Sequence, residues 1–177
     1  MELKGTKKYG TVEAKVRRVV ETMGEDVEYL FMNWSQANVA MDAITKPSVV
    51  YVLPPSGKLD FSYARVKDYP ETQIGFISPT DFDFDGTEND NIIEQMKRLA
   101  IKFVKALNAS EYFELIEGKL SYQVVYDFLD QNVTGVVINL VLKELDGIII
   151  CDDDNFRLEK GTFSDPPFDK SFTESKM

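Results

Sequence analysis

Histidine is absent from this 177-residue chain, and cysteine occurs once, as Cys151. Without imidazole, Ser-His-Asp and Cys-His nucleophile arrangements, histidine general acid–base catalysis and most zinc sites are excluded. A lone thiol permits no internal disulfide, and Cys151, closing an apolar run, reads as a small core residue with no imidazole to activate it. Positive charge is also scarce. Lys and Arg total 20 against 30 Asp and Glu, a net charge of −10, so the surface repels phosphate backbones and sequence-specific DNA binding is not expected. No run approaches the roughly eighteen apolar residues of a membrane span. The opening stretch Met1–Gly10 lacks the apolar centre of a signal peptide, so synthesis in a cytoplasm and a soluble product are expected.

What is present is a core. With 44% hydrophobic and 12% aromatic residues, the chain can bury enough surface for one domain, here residues 11–151, flanked by an arm at 1–10 and another at 152–177. The strongest periodic signal runs from Thr87 to Asn108. Ile92, Ile93, Met96, Leu99, Ala100, Phe103 and Leu107 form the stripe of a helix with one buried face. Thr87 and Asp90 suggest a capping box at its start. A second helix is expected over Thr11–Met23, with Gly24 as its stop and Lys15, Arg17 and Arg18 on a solvated cationic face.

Short strands are expected between and after these helices. Val27–Met32 reads as a strand, and Ser35 as the cap of a short helix running to Ile44. Val49–Leu53, Leu59–Val66 and Gln73–Ile77 read as three strands separated by turns at Pro54-Pro55-Ser56-Gly57 and Asp68-Tyr69-Pro70-Glu71. Further strands are expected at Leu120–Leu129, Val136–Leu142 and Gly147–Cys151, the last pair joined by a tight hairpin with Asp146-Gly147 at its centre. The expected class is α+β. An antiparallel meander sheet would pack against one long helix and an N-terminal helix.

Motifs that could carry chemistry are few. Asp81, Asp83 and Asp85 alternate and precede Gly86 like the opening of a calcium loop, but Ile92 stands where the closing bidentate glutamate belongs. Alternation with Phe82 and Phe84 equally describes an edge strand whose charges block further pairing. Ser56-Gly57-Lys58 lacks the first glycine and the hydroxyl of a phosphate loop and reads as a turn. Asn33-Trp34-Ser35, Asn108-Ala109-Ser110 and Asn132-Val133-Thr134 are chance glycosylation triplets. Asp152-Asp153-Asp154 is a solvated charge run. No pair of carboxylates has a context that would separate their pKa values, so no catalytic residue and no cofactor is assigned. Trp34, the only tryptophan, is a core residue or a subunit contact. Phe156, Phe163, Phe168 and Phe172, spaced along a polar segment, are candidate contacts of an arm that docks on a neighbouring subunit.

The order of elements, with the phrases Asn89–Ala100, Val125-Tyr126-Asp127 and Asn132–Val136, resembles the small tail-terminator and neck-ring proteins of tailed bacteriophages. The resemblance covers roughly Thr11–Cys151. It implies a virion structural protein without an active site, assembled in the bacterial cytoplasm. Six or twelve copies would close a ring at the head-to-tail junction, in contact with neighbouring connector or tail proteins. DNA would pass through the centre without specific binding, and an acidic lumen suits such passage because a basic one would retain the polyanion. The other readings are a tail-tube adaptor of a phage-derived injection device and a monomeric binding module, calcium-dependent through Asp81, Asp83 and Asp85.

Overall fold

A computed structural model describes residues 11–62, 65–80, 86–129, 132–146 and 148–149. The first helix, α1 (Val12–Thr22), is capped by Thr11, whose hydroxyl accepts from the Ala14 N–H at 3.2 Å. It is followed by β1 (Glu28–Met32), α2 (Trp34–Ala40) and a 3-10 turn at Met41–Ala43. The cap of α2 is Asn33 and not Ser35. Its side chain accepts from the Gln36 N–H while the Gln36 side chain accepts from the Asn33 N–H, a reciprocal capping box.

Two long strands come next, β2 (Ser48–Asp60) and β3 (Arg65–Pro79). The three strands read from the sequence between residues 49 and 77 are therefore two. Pro54 and Pro55 do not end β2. They fall in a shift of register between Val52 and Ser56, where the ladder asks for no N–H from them. Pro70 likewise sits inside β3, opposite Gly57.

Helix α3 (Thr87–Ala109) closely matches the periodic stripe. Its start differs from the expected capping box: Gly86, in the left-handed region at φ 76°, holds the N-cap position, and Thr87 is already helical. Strands β4 (Tyr122–Phe128), β5 (Val133–Val141) and the short β6 (Ile148–Ile149) complete the fold. After β5 the expected hairpin does not form, since β6 pairs with β3 and not with β5. The chain keeps following β3, first through the Leu142 N–H on the Pro70 carbonyl at 3.2 Å, then by pairing Ile148 with Val66 and Ile149 with Arg65. The length of β3 explains this, because its backbone groups beyond β5 need partners.

The fold is α+β. Its sheet runs β1-β2-β3-β5-β4, with β1 parallel to β2 and the other neighbours antiparallel. This corrects the expected meander in two respects. The helix α2 lies between β1 and β2 and lets them run parallel, and β5 lies between β3 and β4. Helices α1 and α3 cover one face, where Val16, Phe103 and Leu107 meet Val49, Ile74 and Phe76, all fully buried. Each such side chain contributes roughly 1.5–3 kcal/mol. The other face is covered by Ala37 and Met41 against Val50, Ile77 and Val133. Beyond the ends of β1 and β4, the strands β2, β3 and β6 continue as a tongue.

Candidate functional site

Helix α3 lies over the centre of the sheet and leaves the outermost strand, β4, uncovered. Sheet register places Ile74, Ile138 and Tyr122 in one row on the helix side. Ile74 and Ile138 are buried, whereas Tyr122 is 51% exposed, followed by Val124 at 40% and Tyr126 at 65%. Between α3 and β4 runs a groove of about 450 Å³, walled by Ala100, Ile101, Val104, Leu120, Val136 and Ile138. Ile101, on the outer wall, is 54% exposed.

The groove is apolar inside and basic at its rim, where Lys97 and Lys105 stand. Lys97 lies 5.2 Å from the centroid of the Tyr122 ring and bonds Glu94 at 2.7 Å. That bond holds its pKa above the usual lysine value. Leu120 reaches the groove because the segment after α3 is pinned. The Asn108 amide donates to the Ile116 carbonyl at 3.1 Å and accepts from the Ile116 N–H at 2.9 Å.

β4 is also the open edge of the sheet, with β5 as its only partner among the described residues. Its ladder is irregular between Val125 and Phe128. A second exposed apolar surface lies at the far end of the tongue, where Leu59 is 60% and Phe61 68% exposed. That end is fixed by Asp60, which accepts from the Ser62 N–H at 2.8 Å and from the Tyr69 hydroxyl at 3.2 Å. The bonds from Ser62 hold the Asp60 carboxyl below its usual pKa.

A buried cluster of titratable groups lies beneath α1. Lys15, expected on a solvated face, is buried and donates to the Glu144 carboxylate and to the Asp146 carbonyl, the latter at 3.0 Å. The other Glu144 oxygen accepts the Asp68 N–H at 2.8 Å. Lys15 is buried because it shares the stripe of Val12, Val16 and Val19; the spacing was visible in the sequence, but its partner, 129 positions away, was not. Burial first, then the Glu144 charge, raises the Asp68 carboxyl above its ordinary pKa. Burial likewise raises the Tyr51 hydroxyl. The cluster ties α1 to the segment after β5.

Trp34 packs against its own sheet. Its indole N–H donates to the Gln73 amide oxygen at 3.4 Å, its ring meets Phe128 edge-on at 5.6 Å, and it lies over Gly75, where a Cβ would come within 2.8 Å of it. Asp81, Asp83 and Asp85, and the phenylalanines Phe156, Phe163, Phe168 and Phe172, lie outside the described residues, as do Asp152-Asp153-Asp154 and Cys151. Among the described residues no three His, Cys, Asp or Glu side chains are grouped to hold a metal ion, and no helix is long and apolar enough to cross a membrane. No family model matches the chain, and no curated protein matches it.

Proposed function

We propose that the chain is a non-enzymatic structural subunit of a tailed-phage neck, closing with further copies into a ring at the head-to-tail junction. The observation that carries this reading is the uncovered apolar surface of β4 and its groove, an exposed apolar area of the kind that marks protein contacts. A second exposed apolar surface, at Leu59 and Phe61, lies on a different part of the chain, at the end of the tongue. Two separate contact surfaces on one chain suit heterologous, head-to-tail association, which gives a ring when the rotation closes. The phage setting and the passage of DNA come from the resemblance in element order. The net charge of −10 is compatible with a channel that does not hold a polyanion.

Tyr126→Lys tests the contact. The residue is exposed, so the fold tolerates lysine there, while a buried contact between copies would not. Sedimentation velocity over a concentration series is expected to show wild-type assemblies that the variant loses, with the melting temperature unchanged. Wild type and variant sedimenting alike as single copies would refute the reading.

A further inference from the structure

We propose that the groove between α3 and β4 receives residues 152–177 of a neighbouring copy, which seats phenylalanines from that segment against Ile101, Val104 and Leu120. This inference rests on the ring reading and names the contact that would join its subunits.

Three observations support it. The groove walls are apolar and wide enough, at about 450 Å³, for aromatic side chains, and nothing among the described residues fills it. Its rim carries Lys97, paired with Glu94, and Lys105, whereas the segment spaces Phe156, Phe163, Phe168 and Phe172 among seven carboxylates and four cations, a net negative stretch. Aromatic rings inside and carboxylates against the lysine rim match the groove in both polarity and charge.

The third observation is where the chain leaves the sheet. Ile149 pairs with Arg65 at the end of the tongue, and twenty-eight residues follow it. The row of Tyr122, Ile138 and Ile74 lies eight strand positions back from Val66, about 26 Å along the strands at 3.3 Å each. The segment can span up to about 90 Å when extended. Its own groove and an adjacent copy's are both within that reach, and the ring reading selects the adjacent copy.

A photoreactive benzophenone side chain at position 101 of the full chain, mixed with a nitrogen-15-labelled wild-type copy, tests this. Native mass spectrometry of the same mixture reads the assembly state. The expected result is cross-links from position 101 to residues 152–177 of the labelled copy, reduced about tenfold when all four phenylalanines of that copy are serine, a loss of about 1.4 kcal/mol. Cross-links to another segment, to the same copy alone, or unaffected by the serine substitutions would overturn the inference. Closed assemblies with cross-links elsewhere would refute it and leave the ring reading standing. Cross-links to 152–177 in open chains or pairs would refute the ring and keep the docking.

Discussion

Lys15 and Glu144 form an ion pair whose side chains are only 2% and 3% exposed. The pair joins α1 to the strand-like segment after β5, which is itself held by the Glu114 N–H on the Lys143 carbonyl at 2.8 Å and the Leu145 N–H on the Tyr112 carbonyl at 3.0 Å. Lys15→Met leaves a buried carboxylate without its cation and is expected to cost about 3–5 kcal/mol, whereas Lys15→Met with Glu144→Leu removes both charges and recovers part of that loss, the Asp68 N–H losing its acceptor. Urea denaturation of the two variants checks this, and equal losses in both would contradict it.

Gly135 lies directly against the backbone of Phe76. A Cβ at Gly135 would stand 2.0 Å from the Phe76 carbonyl oxygen, an atom that cannot swing away, whereas at Gly75 it would stand 2.8 Å from the Trp34 ring. Gly135→Ala is therefore expected to cost upwards of about 3 kcal/mol and to exceed Gly75→Ala, since overpacking against backbone has no cheap relaxation. Chemical denaturation of both variants decides the order.

Asp68 supplies the pH dependence. Its carboxyl is raised in the folded protein by burial and by Glu144, so the folded state binds the proton more tightly than the unfolded state. Stability from this group is full below the unfolded carboxylate pKa of about 3.9 and declines as pH rises through the folded value. Asp68→Asn imitates the protonated form and leaves the backbone N–H on Glu144 in place. Its melting temperature is expected to exceed wild type at pH 7 and to converge with it in acid. A gain that persists in acid would contradict this assignment.

The carboxylates Asp81, Asp83 and Asp85 are tested by calcium itself. With Ile92 where a bidentate ligand would close the loop, added Ca²⁺ is expected to leave the melting temperature unchanged. A rise that Asp83→Ala abolishes would establish a calcium site at these carboxylates.

Helices were legible in the sequence because one face carries their whole signal: Met96, Leu99, Phe103 and Leu107 are buried as the stripe requires. Strand limits were less legible. Prolines punctuate only where a ladder needs their missing N–H, and Pro54, Pro55 and Pro70 occupy positions within β2 and β3. The hairpin expected from Asp146-Gly147 gave way to pairing of Ile148 and Ile149 with the open edge of β3. The groove was not visible at all. Tyr122, Val124 and Ile101 have the composition of core residues, and only the position of α3 over the inner strands leaves them uncovered.

Imaging of the full-length chain by electron microscopy, at concentrations where it associates, tests the central claim most directly. The expected result is closed rings of one copy number around an open centre, with α3 and β4 of each copy at the contact. Single copies at every concentration, or symmetric pairs in which the same surface meets itself, would contradict it.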